Sequence, residues 1–274
     1  LTLTMTNLSE QKIIVCCDSR ESLDDAVAHG ARIAGIFGKE LCLFRPVVSG
    51  EKKEKRDAQE KLEKAIRNLR DRGSDLPVSS LTLSGNLIDS IERLAEDYDG
   101  IMVILNTENL KEKLITLRQS SIPFLFVNGR MDKYLRYDRI MLPADDSKAT
   151  KNMALWASYF GRFNRADTSV FAAEEKSAAH GDRISTNLKS IQELHANLKL
   201  KIDVRHTGKS SSRLYSEAVN ESLNGKFNLL IMSNRPVNGI DDLLSFPEAK
   251  MIGQAQNLPV LVVNGNRDMY ILCD

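Results

Sequence analysis

"PFLFVNGRMDKYL", residues 123–135, returns as "PVLVVNGNRDMYI", residues 259–271, with Pro123/Pro259, Leu125/Leu261, Val127/Val263, Asn128/Asn264, Gly129/Gly265, Asp132/Asp268 and Tyr134/Tyr270 in register. Each copy is an apolar run behind a proline, closed by Asn-Gly, the pattern of a buried strand that ends in a turn. The copies stand 136 residues apart in a chain of 274, so a duplication into two domains of ordinary size is the simplest account. An apolar edge strand must be covered, and a duplicated chain carries its own partner. The expectation is two domains, 1–135 and 136–274, paired within the molecule through residues 124–127 and 260–263.

The rest of each half supports this. "KIIVCCD" (12–18) and "RIMLPADD" (139–146) are short apolar runs ending in an acid, with Asp18 and Asp145 standing 127 residues apart. Amphipathic stretches follow, one through Leu23, Ala26, Val27 and Ala31, the other through Met153, Ala154, Trp156, Ala157 and Phe160. Next come the runs "ELCLFRPV" and "DTSVFAA", the charged helix-period segments at 51–73 and 181–198, and the runs "PVSSLTLSG" and "LKIDVRHTG", which close on Gly85 and Gly208. A further helix and strand lead to the repeated segment. Strands alternating with helices predict an α/β protein: two tandem open parallel five-stranded sheets with helices on both faces, packed as a pseudo-twofold pair.

Composition narrows the function classes. Acids and bases nearly balance at a formal net charge of +1, which leaves no basic footprint for nucleic acid. No run of about 18 apolar residues offers a membrane span. Cys16, Cys17, Cys42 and Cys273 show no CxxC spacing, which predicts free thiols in a reducing compartment. The opening "LTLTMTNLSEQ" lacks the basic and apolar regions of a signal peptide, and the expected location is the cytoplasm. His29, His180, His195 and His206 are scattered without metal-ligand spacing, and no Ser/His/Asp or Cys/His set assembles, so no catalytic residue is assigned and no enzyme is expected. "GKSSSR", 208–213, lacks the upstream glycine of a phosphate loop.

The strand-Asp openings, the strand-Gly elements at Gly85 and Gly208 and the "PVLVV" endings, in the same order twice, resemble the universal stress protein family in its tandem two-domain form, over essentially the whole chain. The resemblance implies pairing of the domains through their last strands. In nucleotide-binding members it also implies an acid after the first strand that contacts adenine, and a loop Gly-x2-Gly-x9-Gly-Ser/Thr after the fourth strand that wraps the phosphates. Glycine lets backbone N–H groups approach phosphate oxygens, and the hydroxyl residue opens a helix whose N-terminus attracts anions.

The sequence departs from that pattern where the chemistry needs it. In the second half the four motif positions are Ser233, Pro236, Phe246 and Pro247. Proline supplies no N–H, and a phenyl ring stands where backbone must face phosphate. The first half is nine residues shorter between Leu105 and Pro123 than the second between Met232 and Pro259, and "LNTENLKEKLITLRQSSIP" contains no glycine. Leu110, Leu114 and Leu117 recur there at helical spacing, predicting a short packed helix in place of the loop.

Asp18 and Asp145 can each hold an adenine or cap the following helix. Three functions compete. The first is a non-catalytic, cytoplasmic stress-response protein of the universal stress type with degraded nucleotide loops and no cofactor, acting through an unidentified protein partner. The second is a sensor that binds ATP or another adenine nucleotide through Asp145, Gly208, Ser233, Asn234 and Asn238, with Asp18 and Gly85 as the weaker equivalents. The third, a hydrolase of the related adenine-nucleotide folds, requires a phosphate loop and catalytic groups that the sequence does not display.

Overall fold

The structure, a computed structural model, describes residues 11–18, 23–49, 51–129, 131–234 and 246–265. The first half runs β1 (Lys12–Cys16), α1 (Leu23–Phe37), β2 (Glu40–Val47), α2 (Lys52–Asp71), β3 (Val78–Ser84), α3 (Leu87–Glu96), β4 (Gly100–Asn106), α4 (Leu110–Leu117) and β5 (Phe124–Val127). The second half repeats this as β6 (Arg139–Ala144), α5 (Ala149–Asn164), β7 (Asp167–Ala172), α6 (Ala178–Asn197), β8 (Ile202–His206), α7 (Ser211–Glu221), β9 (Leu229–Ser233), α8 (Pro247–Gln254) and β10 (Val260–Val263), with a π-helical turn at Ser222–Lys226 after α7.

The strands form one sheet in the order β3-β2-β1-β4-β5-β10-β9-β6-β7-β8. The two copies of the repeated segment are hydrogen-bonded neighbours: β10 lies antiparallel to β5, with Leu261 opposite Leu125, while the strands within each half are parallel. The sequence pattern predicts two separate sheets; they are instead halves of a single ten-stranded one. Two parallel half-sheets related by a local twofold can share a backbone ladder only through an antiparallel pair, and joining them removes both central edges.

Strands covered on both faces are apolar throughout, which explains the uninterrupted runs in the sequence. Ile13, Ile14, Val15, Val103, Ile104, Leu105, Leu125, Leu261 and Val262 are completely buried. Gly30 sits mid-helix in α1 because a Cβ there would lie 2.3 Å from Val15 Cγ2. The missing side chain lets α1 approach the sheet closely, which offsets the poor helix propensity of glycine.

The halves also meet above the sheet. Phe37 of α1 packs against Phe160 of α5 with ring centroids 5.1 Å apart, and against Phe163 and Trp156 at 5.8 and 6.2 Å. Tyr137, in the connecting segment, stacks on Phe160 at 5.8 Å. His29 of α1 donates from Nε2 to the Gly129 carbonyl (3.3 Å) and accepts on Nδ1 from the Tyr137 hydroxyl (2.5 Å). Arg32 Nε donates to the Leu135 carbonyl (3.0 Å), and Asn164 Nδ2 of α5 donates to the carbonyls of Arg136 (2.7 Å) and Tyr137 (2.8 Å). Helices of both halves thus hold the connection between them.

The repeated asparagines act across the twofold. Asn264 Nδ2 donates to the carbonyls of Leu117, Arg118 and Ser120, at 3.0, 3.2 and 2.8 Å, at the end of α4. Asn128 Nδ2 reaches the Gln256 carbonyl beyond α8 at 3.4 Å. Each therefore donates to carbonyls at or just beyond the end of the other half's last helix. The two Asn-Gly turns nevertheless differ: Gly129 has φ +76°, whereas Gly265 does not enter the left-handed region and instead packs so closely on α5 that a Cβ would lie 2.5 Å from the Cβ of Ala149. Asp268, Tyr270 and Cys273 lie outside the described residues.

Candidate functional sites: two crevices of opposite character

In each half the chain first builds outward and then returns to the other side of its first strand. Crevices therefore open at the C-terminal ends of β1 and β4, and of β6 and β9, the places where open α/β sheets bind ligands. Asp18 and Asn106 stand at the first crevice. Asp145, Ser233 and Asn234 stand at the second, and the offset of 127 makes Ser233 the counterpart of Asn106.

The first crevice is filled by the protein itself. α4 occupies the segment predicted to be a short helix, with Leu114 and Leu117 buried beneath it. Lys113, on the same inner face, is 3% exposed. Its Nζ lies 3.0 Å from Asp18 Oδ2, and it donates to Asn106 Oδ1 (2.6 Å) and the Asn106 carbonyl (3.3 Å). Asn106 Nδ2 donates in turn to Asp18 Oδ1 at 3.3 Å. All three residues are thereby committed to one another, and an ammonium on an alkyl stem takes the space between the strand ends.

Among the described residues the second crevice is open. A cavity of about 240 Å³ lies between α7, α8 and the end of β9, walled among others by Tyr215, Met232, Ser233, Glu248, Lys250 and Met251. Asp145, 9% exposed, accepts on Oδ1 from Ser147 N (3.0 Å) and Thr150 Oγ1 (3.1 Å), so it closes the turn that leads into α5. Tyr215 also donates to its carboxylate, linking it to the cavity wall. Burial raises the pKa of Asp145 against the lowering effect of these donors. Glu248, 2% exposed, sits in the first turn of α8. The N-terminus of α7 is already served by a carboxylate, Glu175 Oε1, which accepts from Ser211 N at 2.7 Å. At the rim, Asp146 accepts from Arg183 at 2.9 Å and lies 2.6 Å from His180 Nδ1. Its partial burial raises the pKa, but these bonds and charges prevail and hold it below its ordinary value.

The remaining predicted positions have structural work. Asn234 donates to Asn264 Oδ1 (3.3 Å) and accepts from Gly265 N (3.0 Å), tying β9 to the end of β10. Gly85 and Gly208 have φ of +102° and +65° and turn the chain out of the edge strands β3 and β8 into α3 and α7. Asn238 and Pro236 lie outside the described residues. Phe246 stacks beneath the Arg118 guanidinium of the first half, 4.4 Å from its ring centroid, so it faces the domain junction. Cys16, Cys17 and Cys42 are buried free thiols whose pKa values burial pushes up, that of Cys42 to about 11, which keeps them in the unreactive thiol form.

The sequence analysis missed Lys113 and Glu248, and a signal exists for both. In α4 the inward positions are 110, 113, 114 and 117; in α8 they are 248, 251, 252 and 255. A charged residue inside such an i, i+3, i+4, i+7 stripe marks a buried charge that must find a partner.

A pH expectation follows from Asp145. Its pKa is raised on folding, so its ionised form opposes folding above that pKa, and the penalty disappears as pH falls through it. Asp145→Asn keeps an acceptor for Ser147 and Thr150 and is expected to raise Tm at pH 7, with the advantage over wild type shrinking as the wild-type acid becomes protonated. Scanning calorimetry at pH 7 and near pH 4 checks this; a variant less stable at pH 7 would show that the charge supports the fold.

The architecture as a whole matches solved structures. A universal stress protein from Archaeoglobus fulgidus DSM 4304 superposes with a TM-score of 0.70 at 13% identity, over 94% of this chain and 98% of that one. A protein assigned as a universal stress protein from Pseudomonas aeruginosa UCBPP-PA14 gives 0.64 at 15% identity, covering 94% of each chain. A protein of unknown function from Pseudomonas aeruginosa PAO1 gives 0.61 at 15% identity, over 95% of this chain and 94% of that one. No protein-family model matches the sequence, and no curated protein is significantly similar to it. At such identities the likeness is one of fold: the chain has the universal stress protein fold, spanning both halves.

Proposed function

We propose that this is a universal stress-type protein in tandem form that works in the cytoplasm without nucleotide and without catalysis, through contacts with another protein. The observation that carries this reading is Lys113. Its ammonium, bound to Asp18 and Asn106, occupies the first crevice from within. An adenine entering there would have to displace the buried Lys113 ammonium from Asp18 and Asn106 with no glycine loop to compensate it.

The second crevice supports the same conclusion by its charge. Glu248 is a buried acid in the cavity wall, and a nucleotide would bring its phosphates towards it. A specific observation also favours a second reading: among the described residues the cavity beside Ser233 is open, so an adenine nucleotide could enter the second half alone. Calorimetric titration of the intact chain with ATP, ADP and AMP separates the two. No saturable heat is expected for any of them. Tight binding of one per chain would overturn the proposal and establish the second reading.

A further inference from the structure

The sheet ends in two edges of different character. At one end β8 carries Asp203, Arg205 and His206, all exposed, and such charges keep an edge from pairing with another chain. At the other end β3 lies within residues 76–86, a stretch without one charged side chain, and among the described residues no strand lies beyond it. The ladder to β2 fixes which of its backbone groups face out. Pro77 O accepts from Leu41 N (2.9 Å) and Gly85 N donates to Val47 O (3.0 Å), so the odd-numbered residues of β3 turn towards β2 and the even-numbered ones turn away. The N–H and C=O groups of Ser80 and Thr82 thus point outward, in the spacing that one more strand requires.

Two contacts orient α2 over this edge. On its inner side Arg72, just past the helix, lies 3.9 Å from Asp24 of α1; on its outer side Gln59 Nε2 donates to Ser80 Oγ at 3.0 Å. Helical spacing from Gln59 places Lys52, Lys55, Glu63, Ile66 and Arg70 along the outer flank. Glu63 accepts from Gln59 (3.3 Å), while Lys52, Lys55 and Arg70 are exposed, so the flank above the edge is basic. Because Ser80 faces α2, Leu81 faces the opposite side of the sheet, where it is only partly buried.

We propose that the β3 edge takes up an extended segment of a partner protein as a further strand, with acidic side chains beneath the α2 flank and apolar ones alternating with them on the Leu81 side. This rests on the protein-contact reading above and names the partner's chemistry. The backbone groups of Ser80 and Thr82 supply the ladder, and the two faces supply the selectivity. A second copy of this chain suits the edge poorly. An antiparallel pair of β3 strands would repeat the geometry at the centre of the molecule, where the twofold brings α1 and α5 together at Phe37 and Phe160. It would bring two basic α2 flanks together in the same way, and like charges oppose that.

The test is an NMR titration of the full chain with the acetylated, amidated peptide Thr-Glu-Val-Glu-Val-Glu-Thr and its counterpart Thr-Lys-Val-Lys-Val-Lys-Thr. The acidic peptide should shift the amides of Ser80 and Thr82, slow their exchange, and bind about tenfold more tightly than the basic one. Thr82→Pro removes an outward N–H without touching the ladder to β2, and should abolish binding with little change in the melting curve. Lys55→Glu combined with Arg70→Glu should reverse the preference between the peptides, which keeps the test independent of any backbone change. Equal binding of the two peptides, or shifts confined to regions away from β3, would overturn the proposal. So would a dimer in sedimentation that Thr82→Pro dissolves, since the edge then belongs to a second copy. An ATP titration on the same sample tests the nucleotide-independent reading separately: heat with ATP marks the failure of that reading, and silence at Ser80 and Thr82 the failure of this one.

Discussion

Replacing Lys113 by methionine is expected to lower the free energy of unfolding by about 1–2 kcal/mol, less than removal of one member of a fully buried ion pair costs, because only the lysine is buried and Asp18 is open to water. Methionine fills most of the same space and preserves α4, so the loss is electrostatic: the buried Asn106 and the strand-end Asp18 lose the ammonium between them. The loss stays modest because the Asp18 side chain is 28% exposed, and water can partly take over from the lysine. The pair itself need not be favourable against an apolar alternative, since its attraction is offset by the removal of both charges from water. Lys113→Met combined with Asp18→Asn should therefore recover most of the loss. Urea unfolding of the two single variants and the double variant gives the coupling directly. If Lys113→Met proves as stable as wild type, the crevice is not held by this pair, and the first site is open to exchange with ligands.

What was legible in the sequence follows from what kind of interaction each feature uses. Strands buried on both faces must be apolar along their length, so Ile13 to Val15 or Val260 to Val263 announce themselves. The repeat of Phe124–Val127 as Val260–Val263 likewise exposes the pairing at the centre of the molecule, because a covered edge leaves the same demand on both copies. The acids at Asp18 and Asp145 were visible as strand ends. Their fates were not, because those depend on side chains brought from far along the chain. Lys113 meets Asp18 from the other end of the first half, and its long stem lets a residue of a leucine stripe deliver its charge to the strand ends. Asn264 reaches α4 across 147 residues. Lysine and glutamate are ordinarily surface residues, so nothing in their type announces that Lys113 and Glu248 are buried. The single sheet was hidden for another reason: pairing of two strands says that domains touch, and only the antiparallel register says that their sheets are continuous.

Phe160→Ala is expected to destabilise the whole chain by about 4 kcal/mol, in the range for deleting a buried phenyl ring. Phe160 is completely buried, and two of its contacts are with groups outside its own half-sheet: Phe37 of α1 and Tyr137 of the connection. Tyr137 is itself tied to His29, and Asn164 holds the same connection from α5. A cavity at Phe160 therefore weakens the first half as directly as the second, and neither half can open without uncovering β5 or β10. Trp156 is the chain's only tryptophan and belongs to the second half, so its fluorescence reports there, while far-UV circular dichroism reports on both halves. Urea unfolding should give one transition, coincident by the two probes, in the wild type and in the variant. Phe160→Leu, which keeps most of the volume, should lose much less. Separation of the fluorescence and dichroism curves in the wild type would mean that each half stands alone, and that the duplicated strand joins two domains that are already stable.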